Sequence, residues 1–268
     1  MIFFTDIDDT LVCTDKSLST ENRKAVLEFL GRGNVLTIST GRVLGGASAL
    51  MKSLGLYGLA NTYICACNGA QIFNTFEEKL LLESHIEVPE ICEVFSYARE
   101  FGIHMQTYQD GAVVSESDNH HLERYLSIQH LSKKIMDPLD SSRLKPSPKL
   151  LAIDWDDPDR VTQFRSFLEP KVGERLDLFK SNPYLLEIVP HGVNKGAALR
   201  FLAERLSIPI ENTVSAGDAE NDLPMIKAAH IGCAMSNGDQ RLKDAADYVT
   251  EHDNNHNGIA EILRKFCL

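Results

Sequence analysis

The feature that most constrains the fold of this chain is an alternation of strand and helix patterns at both of its ends. Short apolar runs at 2–7 and 35–39 alternate with helical patterns at about 20–31 and about 44–54. The same rhythm returns near the C-terminus, with a helical pattern and then three apolar runs at 195–208, 213–217, 231–235 and 247–249. Alternating strands and helices build a mainly parallel sheet. We therefore predict that both ends form one doubly wound α/β core.

The middle of the chain has a different pattern. From 84 to 188, pairs of short strand patterns alternate with helical patterns near 89–101, 118–128 and 157–169. This order is typical of an α+β unit with an antiparallel sheet. The sequence thus predicts a discontinuous core at 1–83 and 189–268, with an inserted α+β domain at 84–188.

The composition limits the partners and the location of the protein. Of the 268 residues, 43% are hydrophobic, and the formal net charge is −11. This negative charge argues against nucleic-acid binding, because phosphate backbones need a basic surface. No apolar run approaches the roughly 18 residues of a membrane span, and no basic leader precedes the first strand pattern. We expect a soluble cytoplasmic protein that does not bind membranes.

The run IFFTDIDDT ends the first strand pattern with three carboxylates, Asp6, Asp8 and Asp9, within four residues. Like charges repel each other, and burying them is unfavourable unless a cation or hydrogen-bond donors compensate. We therefore expect a positively charged group beside this segment.

Three further polar segments follow strand patterns. They are Thr40, Gly41 and Arg42 after VLTIS, Lys195 after LLEIVPHGVN, and Gly217 to Asp222 after NTVSA. In an open parallel sheet, ligands bind beyond the carboxyl ends of the strands. Each segment alone is a weak signal, but their combination and order predict one shared binding site.

A phosphomonoester is the ligand that this set of side chains fits. Because carboxylates alone would repel a doubly negative phosphate, we expect Mg²⁺ to bridge Asp6, Asp218 and a phosphate oxygen. Asp6 could then attack phosphorus in line and form an aspartyl phosphate. If the strand alternation continues, Asp8 lies on the same face as Asp6, where it can protonate the leaving oxygen and later deprotonate water.

The remaining polar groups predict how the phosphoryl oxygens are held. Lys195 and Thr40 would contact these oxygens, together with backbone N–H groups around Ile7 and Gly41. Thr10 would brace the loop rather than react. Two roles stay open for Arg42, which can contact a substrate phosphate or form an ion pair with a carboxylate of the core.

Several motifs carry a family resemblance. DIDDT, STGR, NKGAAL and GDAENDLPMIKAA resemble the four motifs of the haloacid dehalogenase superfamily of phosphatases, and ACNGAQIF, IGCAMSNG and LKDAADYVT resemble further signatures of its Cof-type branch. The resemblance covers nearly the whole chain. It implies a Rossmann-like core, a large α+β cap at the position of the inserted domain, Mg²⁺, and hydrolysis of small organic phosphates.

Carried over residue by residue, the resemblance assigns roles to most of these positions. Asp6 corresponds to the nucleophile and a metal ligand, and Asp8 to the acid/base, with its backbone carbonyl on the metal. The other implied roles are phosphate contacts at Thr40, Lys195 and Asn221, a Mg²⁺ ligand at Asp218, and support of the metal or of Lys195 by Asp222. Asp9 departs from this branch, which usually has Gly there, so the shape and charge of the loop can differ.

The sequence therefore predicts a Mg²⁺-dependent phosphatase for a small phosphorylated metabolite, with a sugar phosphate as the default substrate. The inserted domain is expected to close over the site and select the leaving group. A phosphomutase or phosphotransferase using the same aspartyl phosphate stays open, as does a non-catalytic regulator that binds Mg²⁺ or a metabolite. His120 and His121 are predicted to be solvated surface residues rather than metal ligands, and Asn68 with Gly69 to form a turn.

Overall fold

A computed structural model describes residues 1–129 and 131–268 and divides the chain into two units. The first unit joins the two ends of the chain, Met1–Leu82 and Asn194–Leu268, and the second is Glu83–Val193. The sequence-based bounds of the inserted domain, 84–188, are shorter at the C-terminal side. The difference arises because Val189 and Pro190 continue the last strand of the second unit.

The first unit contains an eight-stranded sheet. In chain order its strands are Ile2–Asp6 (β1), Val35–Ser39 (β2), Thr62–Ala66 (β3), Gln71–Asn74 (β4), Lys79–Glu83 (β5), Thr213–Gly217 (β12), Ile231–Ala234 (β13) and Tyr248–Val249 (β14). Their order across the sheet is β14-β13-β12-β1-β2-β3-β4-β5. The pairs from β14 to β3 are parallel, and β3 pairs with β4 in the antiparallel direction.

The central strands of this sheet are fully buried. Every residue of β1, β2, β3 and β12 is buried, which explains their nearly continuous apolar sequences, since parallel sheets are covered on both faces. The helices of the unit are Thr20–Gly31 (α1), Leu44–Ser53 (α2), Lys195–Arg205 (α6), Leu223–Ala228 (α7), Gln240–Ala245 (α8) and Gly258–Phe266 (α9). The predicted doubly wound α/β core is therefore confirmed.

Two predicted element ends in the core are wrong by a few residues. The strand predicted over 2–7 ends at Asp6, because a tight turn begins at Ile7. The helix predicted over 195–208 ends at Arg205, because Ser207 adopts a left-handed backbone conformation with φ 53° that a right-handed helix cannot include.

The second unit contains a six-stranded sheet. Its strands are His104–Gln109 (β6), Ala112–Ser115 (β7), Ser132–Ile135 (β8), Leu150–Ile153 (β9), Leu176–Asn182 (β10) and Leu185–Pro190 (β11), in the order β10-β11-β9-β6-β7-β8. Its helices are Val88–Phe101 (α3), His120–Gln129 (α4) and Pro158–Val172 (α5). Ile91 and Phe95 of α3 share one apolar cluster with Phe164 and Leu168 of α5.

The predicted antiparallel sheet of the second unit is wrong at one pair. β7 and β8 run parallel, because α4 lies between them in sequence and returns the chain to the same end of the sheet. The other assigned pairs of this sheet are antiparallel. Among the described residues, no helix is both long and apolar enough to cross a bilayer.

Candidate active site

The turn after β1 gives Asp8 and Asp9 their positions. A tight turn over Ile7–Leu11 follows Asp6, so the strand alternation stops before it reaches Asp8. Asp9 adopts a left-handed conformation with φ 58°, which Asp tolerates better than most residues other than Gly. Its backbone carbonyl accepts a hydrogen bond of 2.8 Å from Nδ2 of Asn237. The Asp at this position is therefore compatible with a backbone conformation for which Gly is the ordinary choice.

Lys195 connects two carboxylates inside the core. It is the first residue of α6, which Asn194 caps through its side chain. Its Nζ donates to Oδ1 of Asp6 at 2.5 Å and to Oδ1 of Asp222 at 2.6 Å, and its side chain is 0% exposed. Burial acts to lower the pKa of Lys195, but the carboxylates of Asp222 and Asp6 outweigh burial and raise that pKa above its usual value. Lys195 therefore stays cationic.

Asp218 lies next to this pair of carboxylates. Oγ1 of Thr10 donates to Oδ1 of Asp218 at 2.7 Å, which connects the turn after β1 to the loop after β12. Burial and the nearby charge of Asp222 raise the pKa of Asp218 to about 7, although the Thr10 hydrogen bond and Lys195 oppose them. The protein alone therefore offsets the negative charge of an Asp218 carboxylate only poorly.

Asp222 fixes the loop that carries Asp218. Its Oδ2 accepts hydrogen bonds from the backbone N–H groups of Asp218 at 2.9 Å and Ala219 at 3.0 Å, while its Oδ1 faces Lys195. A Cβ on Gly217 would lie 2.5 Å from Cβ of Asp222, so only Gly fits there without displacing it. Asp222 therefore orients Lys195 and the Asp218 loop.

The three aspartates form a group that could hold a metal ion. One carboxylate oxygen from each of Asp6, Asp218 and Asp222 lies within 4.8 Å of the others. Among the described residues, Oδ2 of Asp6 and Oδ2 of Asp218 accept no hydrogen bond, whereas Asp222 uses both of its oxygens. Burial raises the pKa of Asp6 well above its usual value, with Lys195 opposing and Asp222 adding to the effect. Hard carboxylate oxygens of this kind fit a divalent cation such as Mg²⁺ or Mn²⁺.

Asp8 is held by cations and does not join this group. Arg42 donates from Nε to Oδ2 of Asp8 at 2.7 Å and from Nη2 to Oδ1 at 2.8 Å, and Nζ of Lys16 lies 2.9 Å from Oδ1. Burial opposes ionisation, but Arg42 and Lys16 outweigh it and lower the pKa of Asp8 to about 2. Of the two roles left open for Arg42, the structure has the ion pair. Sequence reasoning missed Lys16, which carries no motif.

The loop after β2 contacts the turn after β3. Oγ1 of Thr40 accepts from the backbone N–H of Arg42 at 3.1 Å, with Gly41 between them, and the carbonyl of Thr40 accepts from the N–H of Asn68 at 3.0 Å. Nδ2 of Asn221 donates to Oδ1 of Asn68 at 2.9 Å. Asn68 is in the predicted turn, over Cys67–Gly69, but it also contacts a candidate site residue. Sequence reasoning missed this contact.

Two histidines of the second unit lie together, with an aspartate that the sequence did not link to them. Nε2 of His120 lies 2.6 Å from Oδ2 of Asp156, and ligand atoms of these two residues and His121 lie within 4.8 Å of one another. The His120 and Asp156 side chains are 63% and 68% exposed, as a solvated surface pair would be. Another histidine of the sequence, His130, lies outside the described residues.

Comparison with known proteins identifies the family. A family model described as a haloacid dehalogenase-like hydrolase matches residues 3–263. The chain belongs to the haloacid dehalogenase superfamily. The resemblance that the four motifs and the Cof-type signatures predict is thereby confirmed.

Relatives of this superfamily member are similar to it along nearly its full length. The 5-amino-6-(5-phospho-D-ribitylamino)uracil phosphatase YcsE of Bacillus subtilis is 28% identical, over 98% of this chain and 94% of the relative. Another Bacillus subtilis protein with the same enzyme name, YwtE, is 28% identical over 96% of this chain and 95% of its own length. The chain is thus a phosphatase, a phosphoric monoester hydrolase of the superfamily.

The fold of the chain agrees with that of a solved member of the superfamily. A haloacid dehalogenase-like hydrolase from Bacteroides thetaiotaomicron is 26% identical, with a TM-score of 0.86 and coverage of 98% of each chain. The Rossmann-like core with an α+β second unit is therefore the family's architecture.

Proposed function

We propose that this phosphatase of the haloacid dehalogenase superfamily is Mg²⁺-dependent and hydrolyses a small phosphorylated metabolite through a phosphorylated Asp6. The observation that carries the proposal is the Lys195 bridge, because it orients one oxygen of Asp6 within the carboxylate group that includes Asp218 and leaves Oδ2 of Asp6 without a hydrogen bond among the described residues. An oriented carboxylate next to a cation site is what in-line attack on phosphorus requires.

Bound at Asp6 and Asp218, with the backbone carbonyl of Asp8, Mg²⁺ would supply a positive charge that offsets the repulsion between the carboxylates and a phosphate dianion. The chain's own residues perform the transfer. An oxygen of Asp6 forms a bond to phosphorus as the bond from phosphorus to the leaving oxygen breaks. Lys195, Thr40 and backbone N–H groups around Ile7 and Gly41 hold the phosphoryl oxygens, and Asn221 contacts them from the other loop.

Asp8 handles the proton in both halves of the reaction. It gives a proton to the leaving oxygen, and it then takes one from the water that attacks the phosphorylated Asp6 and releases phosphate. Because Arg42 and Lys16 hold Asp8 as a carboxylate, it is ready to act as the base. To act as the acid it must first take up a proton, which requires its ion pair with Arg42 to weaken when substrate binds.

The proposed substrate class follows from the relatives and from the charge of the protein. YcsE and YwtE are named for a phosphorylated ribityl compound, so we propose a sugar or polyol phosphate as the substrate. The net charge of −11 makes a polyanionic nucleic acid a poor substrate. We further propose that the protein works in the cytoplasm and that the second unit, as the cap domain, selects the leaving group.

Phosphate release from a panel of sugar and polyol phosphates, measured with Mg²⁺ and with EDTA, tests the proposal. We expect Mg²⁺-dependent release by the wild-type protein and a loss of several orders of magnitude in Asp6→Asn. Asp244→Asn, a charge-matched change on the exposed surface of α8, should retain wild-type release. An isomerised sugar without released phosphate would instead identify a phosphomutase, and no turnover of any panel member would favour a non-catalytic regulator.

A further inference from the structure

The turn after β3 holds Asn68 in one backbone conformation. Asn68 has φ 55° and ψ 27°, a left-handed conformation that Asn adopts more readily than most residues. Its backbone N–H donates to the carbonyl of Thr40 at 3.0 Å. The next residue, Gly69, approaches the chain so closely that a Cβ there would lie 2.5 Å from the carbonyl oxygen of Asn194, the residue before Lys195. The turn is thus fixed between two candidate site loops.

The side chain of Asn68 is buried, and among the described residues only one of the two polar atoms of its amide forms a hydrogen bond. It is 1% exposed, and its Oδ1 accepts a hydrogen bond of 2.9 Å from Nδ2 of Asn221. Its Nδ2 finds no hydrogen-bond partner anywhere in the described part of the chain. A buried N–H donor without a partner is unfavourable, so such groups in native proteins call for an explanation.

The orientation of this amide is coupled to that of its neighbour, because the Asn68 amide cannot rotate unless Asn221 rotates with it. Rotating the Asn68 amide by half a turn would bring two NH₂ groups together, because Asn221 presents its own Nδ2. The unpaired hydroxyls of Thr37 and Ser39 differ in this respect, since a hydroxyl can turn its hydrogen to suit. In the observed pairing, Oδ1 of Asn68 faces Asn221, and Nδ2 is the atom left without a partner among the described residues.

We propose that Asn68 is a substrate-binding residue whose Nδ2 donates to an oxygen of the substrate's phosphoryl group, while its Oδ1 holds the amide of Asn221. The proposal rests on the proposed function, because both partners of Asn68, Thr40 and Asn221, are phosphate contacts in it. An anionic phosphoryl oxygen would satisfy the donor with a charge-assisted hydrogen bond. Asn68 then adds a donor to the site from the turn after β3, to which none of the four motifs assigns one.

Inhibition by inorganic phosphate, with an aryl phosphate as the substrate, tests this assignment. Asn68→Asp has the same shape, tolerates the left-handed conformation and keeps an acceptor for Asn221, but it replaces the donor with a carboxylate. We expect the inhibition constant of phosphate and KM to rise about tenfold or more, with a smaller change in kcat. The matched control is Asn74→Asp, because the Oδ1 of Asn74 accepts from the backbone N–H groups of Phe76 and Glu77 in its own turn, and we expect wild-type constants there.

A second variant separates direct donation from an effect transmitted by Asn221 or by the new charge. Asn68→Gly keeps the left-handed backbone and removes the donor without adding a charge. In an Asn221→Ala background, we expect Asn68→Gly to weaken phosphate inhibition by a further factor of about ten. If it has no effect there, or if Asn68→Asp binds phosphate like the wild type, the proposal is overturned. Wild-type protein that releases no phosphate from any ester would refute the proposed function itself, which is a distinct result.

Discussion

Arg42 donates two hydrogen bonds to the carboxylate of Asp8, from Nε to Oδ2 at 2.7 Å and from Nη2 to Oδ1 at 2.8 Å. The two residues follow different strands, and their pairing keeps the proposed acid/base as an oriented carboxylate. Its pKa of about 2 results from Arg42 and Lys16 outweighing the effect of burial. The same contact therefore controls both the protonation state of Asp8 and the conformation of the turn after β1.

Replacing Arg42 by Met should raise the pKa of Asp8. Because burial would then act with less compensation, we expect the acid limb of kcat, where Asp8 is the base of the hydrolysis step, to move to higher pH. The measurement is a pH–rate profile of both proteins between pH 4 and pH 9. An acid limb at the same pH in wild type and Arg42→Met would show that Asp8 does not control it.

The same substitution should affect stability in a pH-dependent way. A carboxylate with a lowered native pKa stabilises the fold above its unfolded pKa of about 3.9, and this contribution is lost as the pH falls toward 2. We expect Arg42→Met to lower the free energy of unfolding by about 1–3 kcal/mol at pH 7 and by less at pH 3. Arg241→Met, which removes an exposed partner of Asp239 at 3.6 Å, should change it by less than about 0.5 kcal/mol.

Mg²⁺ should stabilise the protein more at pH 8 than at pH 5. The pKa of Asp218 is raised to about 7 by burial and by Asp222, so the native state holds a proton that the unfolded state has already lost. The stability of the metal-free protein therefore falls as the pH rises from about 4 to 7, and a bound cation reverses that loss. Calorimetric melting with Mg²⁺ or EDTA at both pH values measures the stabilisation by Mg²⁺. Equal Mg²⁺ effects at both pH values, or an unchanged effect in Asp218→Asn, would contradict the assignment.

Lys195→Met should destabilise the core as well as abolish turnover. It would leave Asp6 and Asp222 buried without their shared cation, and breaking a buried ion pair costs about 3–5 kcal/mol. Urea unfolding at pH 7 measures the loss. The control is Lys133→Met, since Lys133 pairs with Asp118 and Glu123 on an exposed surface and should change the free energy of unfolding by no more than about 1 kcal/mol. Similar losses in the two variants would argue against the buried bridge.

Gly217→Ala should disturb the site through Asp222. The added Cβ would lie 2.5 Å from Cβ of Asp222 and push that carboxylate away from Lys195. We expect a loss of stability above about 1 kcal/mol and a lower kcat. Gly45→Ala is the matched control, because a Cβ at this exposed position of α2 meets no atom within 4 Å and should be neutral or slightly stabilising. A wild-type kcat in Gly217→Ala would show that Asp222 can move without consequence.

The convergence of Asp6 and Asp218 could be predicted from the sequence, because they lie at the ends of the parallel strands β1 and β12, and such ends meet at one edge of a sheet. The same rule does not place Lys195, because the strand before it, β11, is antiparallel and belongs to the second unit. The partner of Arg42 could not be predicted, since a phosphate and a carboxylate satisfy a guanidinium equally well. Asp8 lies beyond the end of β1, so strand periodicity gave no information about its direction.

Contacts that depend on turn geometry also could not be predicted from the sequence alone. Lys16 reaches Asp8 from a loop without a motif, and Asn68 reaches Asn221 only because the turn after β3 is left-handed there. An Asn before a Gly predicts such a turn, but not the residue that its side chain meets. The parallel pairing of β7 and β8 was missed for a related reason, because strand patterns do not encode the direction of pairing.

The proposed mechanism requires a covalent phosphoryl group at Asp6. Acid quenching of the wild-type protein during turnover, followed by borohydride reduction and peptide mass spectrometry, should convert Asp6 to homoserine, because borohydride reduces acyl phosphates and spares carboxylates. The Asp6→Asn variant should release no phosphate and yield no homoserine. Steady phosphate release by the wild type with an unmodified Asp6 peptide, or full turnover by Asp6→Asn, would contradict the account.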